Sequence, residues 1–178
     1  MKLDDALGLV RLERWAAGDV ELLTALNGDP EMMRHLGGPQ TPEQIAERQA
    51  RYVAPDAPGM GRTLKVIEAR TDDDVGWVGY WRHAWSGADV FEIGWSVLGA
   101  AQGRGLATAA AMQAIALARS DEPSLALHAF PAARNVASNA LSRTLGFELI
   151  GPCELEFPAG SVMRANDWRL LPKAATGA

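Results

Sequence analysis

The 178-residue sequence predicts a single α/β domain, a mixed and mostly antiparallel, splayed sheet flanked by about four helices. Three observations carry that expectation. The segments TLKVIEA, VGWVGYWRH and VFEIGWSV follow one another with only TDDD and SGAD between them, both turn-forming, which makes an antiparallel meander. Two helical patterns precede the meander and two follow it. No repeat, low-complexity tract or long linker divides the chain, and its length suffices for one sizeable core.

In order, LVRLERW (Leu9 to Trp15) alternates Val10 and Leu12 with Arg11 and Glu13, as a half-buried strand does. Asp19 precedes VELLTAL, where Val20, Leu23 and Leu26 have helical spacing. GDPEMMRHLGGPQ reads as a Gly/Pro-rich loop carrying His35. TPEQIAERQARYV opens a helix with Thr41 as N-cap, Pro42 first and Gln44 completing a capping box. APDAPGMGR is a flexible link into the meander. Beyond the meander come AAQGRGLATAAAM, an Ala-rich helix from near Leu106, and the apolar strand LALHAF. ASNALSRTLGF makes a further helix, with Ala137, Leu141 and Leu145 on one face and Gly146 as its stop. FELIG and the stretch near VMRANDWRLL supply late strands. The structured core is expected over about 8–170, with a frayed tail at 171–178.

Composition excludes several classes. Hydrophobic residues at 48% and charged residues at 22% are a globular balance, not a disordered one. A formal charge of −5 speaks against a nucleic-acid surface and suits a cationic or amine partner. Cys153 is the only cysteine, so no internal disulfide is possible. The start MKLDDALGLV lacks the apolar core of a signal peptide. The longest apolar stretch, GLATAAAMQAIALA, is shorter than the ~20 residues that span a bilayer. A cytoplasmic protein is expected, a monomer or homodimer without membrane or nucleic-acid partners. No His/Cys/Asp/Glu spacing resembles a metal site, so no metal is expected.

The glycine run between VFEIGWSV and the helix at Leu106 is the strongest chemical feature. A strand, a glycine turn and a helix N-terminus together make an anion site, because the first helical N–H groups have no intrahelical partners. Gly103 and Gly105 clear the approach to those amides, and Arg104 stands ready for a further phosphate. A P-loop needs a lysine that is absent here. A GxGxxG fingerprint fails at Thr108 and lacks its βαβ setting. On these residues alone, a tight turn that packs the helix against the sheet stays equally open.

The wider pattern resembles the GNAT superfamily of acyl-CoA-dependent acetyltransferases. Gln102-Gly103-Arg104-Gly105-Leu106-Ala107 is similar to its Q/R-x-x-G-x-G/A motif. Asn135-Val136-Ala137-Ser138 and Leu145-Gly146-Phe147 resemble its N-x-x-S and L-G-F elements. DPEMMRHLGG and FEIGWSV look like the branch that acetylates ribosomal-protein N-terminal alanines and small amines. The resemblance implies a splayed sheet and acetyl-CoA as co-substrate. Backbone amides from Gly103 to Thr108 would grip its pyrophosphate, and the strand end at Val97 and Leu98 would pair with pantetheine. Asn135 would bond the pantetheine arm, and Ser138 would sit near the sulfur. The implied activity is N-acetylation of a primary amine, either a protein N-terminus or a small molecule. The rival is a catalytically silent acyl-CoA-binding regulatory module.

Individual residues carry two readings each. Glu92 is a carboxylate in the otherwise apolar V-F-E-I-G-W, where burial costs energy unless the charge is paired. It is either the base that takes a proton from the amine or a charge paired with Arg82 or His83. Ser138 is a general acid to the leaving thiolate or a helix-start residue, and Asn135 is a cofactor contact and also an N-cap. His35 lies where the family admits its acceptor, whereas His128, in apolar LALHAF, reads as a satisfied core residue. The three histidines do not cluster along the sequence. Trp77, Trp81, Trp85 and Trp95 read mainly as packing, with one or two, Trp77 among them, walling the acceptor cleft. Cys153 is not expected to be a nucleophile, because direct transfer needs no covalent enzyme intermediate.

Overall fold

The computed structural model describes residues 7–54 and 59–172. Its elements are β1 (Val10–Arg14), α1 (Val20–Asn27), α2 (Pro30–Met33), α3 (Pro42–Val53), β2 (Gly61–Glu68), β3 (Asp74–Trp85), β4 (Ala88–Val97), α4 (Leu106–Asp121), β5 (Leu127–Ala129), α5 (Val136–Thr144), β6 (Glu148–Glu156) and β7 (Val162–Leu170). The strands form one sheet in the order β1-β2-β3-β4-β5-β7-β6. Only β4 and β5 pair in parallel.

The meander follows from its turns. Ser86 and Gly87 both take positive φ (50° and 80°), the turn whose twist matches two paired strands. β3 and β4 then pair without a slip from Trp85↔Ala88 to Gly76↔Val97. Period-2 alternation sorts their side chains onto two faces. Val78, Tyr80, Phe91 and Ile93 join Ala109, Ala110, Ala114 and Ala118 of α4 in the main core. Alanines on that face let the helix lie close to the sheet. Trp77, Trp81, His83, Trp85 and Glu92 occupy the opposite face. Part of that face is covered by a second cluster of Trp15, Leu22, Leu23, Leu26 and Ile45, against which Trp77 and Tyr52 pack.

Thr41 caps α3 with the expected box, its hydroxyl accepting from Gln44 N–H at 3.3 Å while the Gln44 side chain accepts from Thr41 N–H at 2.9 Å. Gly146 ends α5 at φ 84°, and Phe147 N–H reaches Ser142 O at 3.1 Å.

Several expectations are corrected. The Gly/Pro-rich loop contains the helical turn α2, because Pro30 opens it and the Asp29 carboxylate accepts from Glu31 and Met32 N–H at 2.7 and 2.9 Å. With it, the described residues form five α-helices around the sheet, in keeping with the expected architecture. LALHAF yields a strand of three residues, since β4 diverges from it. Ala137 is exposed; α5 turns Ser142 and Asn139 inward instead. Asn139 Oδ1 accepts from Asn166 Nδ2 at 2.7 Å and from Trp168 Nε1 at 2.8 Å, so the helix docks on β7 through a polar seam.

The first six residues, the middle of the APDAPGMGR link and the KAATGA tail lie outside the described residues. Among the described residues, no helix is long and apolar enough to cross a membrane.

Candidate functional site

The sheet opens between β4 and β5. They pair only through Phe91↔Leu127 and Glu92↔His128, after which β4 runs into the turn Gly99–Ala101 and β5 into Pro131 and α5. Strand parity decides which backbone groups face the gap. Phe91 N–H points to β5, bonding Ala126 O at 2.9 Å, whereas Leu98 N–H points to β3, bonding Val75 O at 2.8 Å. Odd-numbered residues therefore turn their backbone groups toward the opening. Leu98 N–H is already taken, Val97 O accepts from Gln102 Nε2 at 3.0 Å, and the bridge Glu92↔His128 uses Ile93 N–H, so the Ile93 carbonyl and the Trp95 backbone present the open edge. Sequence reading missed those two, since the parity becomes legible only once the β5 pairing is known.

Beyond β4 the chain turns through two glycines into α4. Gly103 and Gly105 hold φ of 73° and 79°, a left-handed backbone that glycine adopts without penalty. Gly105 is the N-cap of α4 and offers no side chain to the first turn, so the amides around Leu106, Ala107 and Thr108 have no cap from it. Gln102 also contacts Met32 Sδ at 3.6 Å, which ties α2 to this turn. Arg104 departs from the expectation: its guanidinium is paired with the buried Glu68 carboxylate, which Arg70 also approaches at 3.5 Å. A hollow of about 230 Å³ lies beside this pair, lined by Gly8, Leu9, Glu68, Arg70, Arg104 and Leu106.

Glu92 sits at the apex of the opening. Burial holds its carboxyl above the usual carboxylate range, against the opposing pull of His83 and of the Trp81 indole. His83 Nδ1 is 3.4 Å from Glu92 Oε2, and Trp81 stands directly opposite Glu92 across the ladder. Arg82, the other partner considered, points to the opposite face and bonds Gly59 O and Glu122, each at 3.0 Å.

His128 is the neighbour of Glu92 on β5, and its Nδ1 meets Asp167 Oδ1 at 2.6 Å. Asp167 Oδ2 accepts from Trp85 Nε1 at 2.8 Å. Phe130 gathers the rings, with centroids 5.8 Å from His83, 5.8 Å from His128 and 4.7 Å from Trp85. Two of the histidines thus cluster in space although they do not in sequence. Asp167 was also missed; a lone Asp in the apolar end of VMRANDWRLL carries the same oddity as Glu92.

On the far lip, Asn135 caps α5 by accepting from Ser138 N–H at 3.1 Å. The Ser138 hydroxyl makes no helix-start bond of its own. His35 follows α2, where burial, Arg34 and Arg134 lower its proton affinity. Arg134 bonds Arg34 O at 3.2 Å, so the α2 segment touches both lips. Trp77 packs on Tyr52 with centroids 5.9 Å apart, and its indole Nε1 is buried without a partner. Trp95 lies on the other face, against the main core. Burial pushes the Cys153 thiol up to about 11, leaving it a poor nucleophile at neutral pH.

The profile of the acetyltransferase (GNAT) domain matches residues 10–148. The chain belongs to the GNAT acetyltransferase family and is an acyltransferase of that class. No curated protein matches it in sequence. Solved structures share the fold at low identity. Spermidine N-acetyltransferase from Vibrio cholerae, solved with CoA and spermine, superposes with a TM-score of 0.73 at 18% identity, covering 92% of this chain and 96% of its own. Ribosomal-protein-S5-alanine acetyltransferase from Vibrio fischeri gives 0.71 at 17%, with 92% of each chain covered. The aminoglycoside acetyltransferase AAC(6')-Ib, in complex with coenzyme A, gives 0.69 at 18%, covering 91% and 94%.

Proposed function

We propose that this protein transfers an acetyl group from acetyl-CoA, a substrate rather than a resident cofactor, to a primary amine by direct attack. The observation that carries the reading is the sheet opening, with a glycine cradle at one end and a half-buried carboxylate at its apex. The residues fit the donor. Gly103 and Gly105 expose amides to a pyrophosphate, and the free edge of β4 at the Ile93 carbonyl and Trp95 suits a linear amide chain. Glu92, with its raised proton affinity, accepts the proton that an ammonium must lose before its nitrogen can attack. The Ser138 hydroxyl donates to the departing sulfur from the opposite lip. Orientation of two substrates in one cleft supplies the remaining acceleration.

The acceptor enters beside the α2 segment, past His35 and the Trp77 wall, and is either a protein N-terminus or a small amine. The test is release of free thiol from acetyl-CoA across a panel of small amines, polyamines, aminoglycosides and N-terminal peptides. Thiol release that depends on one acceptor class supports the reading. Tight acetyl-CoA binding with no acceptor-dependent release would make the protein a silent acyl-CoA-binding module.

A further inference from the structure

Amide formation from an ammonium sheds two protons from one nitrogen. The first leaves before attack, freeing the lone pair. The second leaves after the C–N bond has formed, when the nitrogen is again positively charged. One proton ends on the CoA sulfur as the C–S bond breaks, and the other goes to solvent. A single carboxylate cannot hold both, so the site benefits from two acceptors within reach of the same nitrogen.

We infer that His128, held by Asp167, is the second base of this site and takes one of the two protons while Glu92 takes the other. The inference rests on the acetyltransferase reading above and adds a catalytic residue to it. Glu92 and His128 are the last paired residues of β4 and β5 before the sheet opens. Register puts them on the same face, on strands about 4.8 Å apart. The imidazole is oriented from behind. Nδ1 donates to Asp167 Oδ1 at 2.6 Å, Asp167 is itself fixed by Trp85 Nε1 at 2.8 Å, and Phe130 stacks on the ring at 5.8 Å. That bond makes Nε2 the proton-accepting nitrogen, on a ring that lies largely buried beside Glu92 at the edge of the opening. On proton uptake the buried Asp167 carboxylate balances the imidazolium charge.

The other charged groups around the ring are committed. Arg169, opposite His128 on β7, pairs with Glu148 at 3.4 Å, and His83 of β3 pairs with Glu92 at 3.4 Å. Cys153 of β6 is held protonated at neutral pH. A histidine serving the core alone has no need of a buried carboxylate, since an apolar residue of its size avoids burying that charge.

The experiment uses the full chain with an acceptor found by thiol release. His128→Gln lowers kcat by roughly 10- to 100-fold, with acetyl-CoA affinity by calorimetry unchanged within about two-fold. A series of acceptors of falling amine basicity separates the two bases. Acceptors already neutral in solution need only the second proton removed, so the Glu92→Gln defect shrinks along the series while the His128→Gln defect persists. Independently of turnover, nitrogen-15 NMR of the free protein shows the His128 ring with Nδ1 protonated and Nε2 bare. A folded His128→Gln protein with wild-type kcat, or the opposite tautomer, overturns the inference. Should His128→Gln fail to fold, Asp167→Asn, which keeps the shape and can retain the Trp85 bond, gives the same decision. Unfolding of both assigns the pair to structure and overturns it as well. Absence of acceptor-dependent release in the wild-type protein would instead remove the acetyltransferase reading itself.

Discussion

Gly105→Asp tests the cradle with a side chain whose two effects are separable. At φ 79°, Gly105 lies in the left-handed region, where a non-glycine residue costs about 1–2 kcal/mol, with Asp among the better tolerated. For a chain of this size that lowers Tm by about 2–8 °C, so the fold survives. The carboxylate would stand at the N-cap of α4, roughly 4 Å from a bound phosphate. Two unit charges at that distance repel by about 1 kcal/mol in water and about 4 kcal/mol at an effective dielectric of 20. At 1.4 kcal/mol per decade, acetyl-CoA affinity falls by between about 5- and 1,000-fold. Titration calorimetry with acetyl-CoA at low and high salt, beside thermal melts, reads both effects, and the loss shrinks as salt screens the repulsion. A folded Gly105→Asp protein with wild-type affinity at low salt would refute the placement of the pyrophosphate.

Glu92→Gln lowers kcat/KM by roughly 10²-fold below the amine's own pKa while leaving acetyl-CoA affinity nearly unchanged; undiminished turnover there would leave Glu92 a structural charge. The same variant carries a stability signature. Burial raises the folded carboxyl above its unfolded value, so between the two the native state binds more protons and wild-type stability declines with rising pH. Glu92→Gln therefore melts higher than wild type at neutral pH, and the gain vanishes in acid below the ordinary carboxylate range. A lower Tm at neutral pH would mean that the His83 pairing outweighs the burial cost. Ser138→Ala reduces kcat by roughly ten-fold to a few hundred-fold, with KM for acetyl-CoA rising only slightly; an early melt with full kcat would make Ser138 a packing residue. Asn139→Ala strips partners from Trp168 and Asn166 and costs about 2–4 kcal/mol, read as a Tm loss of about 5–15 °C. A melt at the wild-type temperature would show that the polar seam holds nothing.

The meander, the capped helices and the glycine turn before α4 were legible because each rests on local chemistry. Thr41, Pro42 and Gln44 write a helix start within four residues, and Gly103 with Gly105 marks a left-handed turn before an Ala-rich run. The site was legible only where one residue broke the pattern of its own segment, as Glu92 does in an apolar strand. Residues whose role depends on register were hidden. The Ile93 carbonyl and Trp95 reach the open edge because Phe91 happens to pair with Leu127, and Asp167 reaches His128 because β7 inserts between β5 and β6. Arg104 was read from its motif, but its actual partner, Glu68, lies 36 positions earlier at the end of another strand. The inward face of α5 was misjudged for a related reason. Its partners on β7 are polar, so Asn139 and Ser142 turn inward beside the half-buried Leu141 and Leu145, and of the apolar stripe only Ala137 is left exposed.

The alanine face of α4 makes that helix a rod resting directly on the sheet. From Leu106 to Ala118 the rod extends ~18 Å. Its near end carries the amides proposed to meet the pyrophosphate, and its far end is the fully buried Ala118. With almost no side-chain cushion beneath it, a bulkier residue at the far end cannot be absorbed locally and levers the whole rod. The amides at the near end then swing by a fraction of that lift, and errors approaching 1 Å are enough to cost a catalyst dearly. In the proposed function, the accuracy of the donor site is thus set in part at the opposite end of α4, by the absence of methylenes.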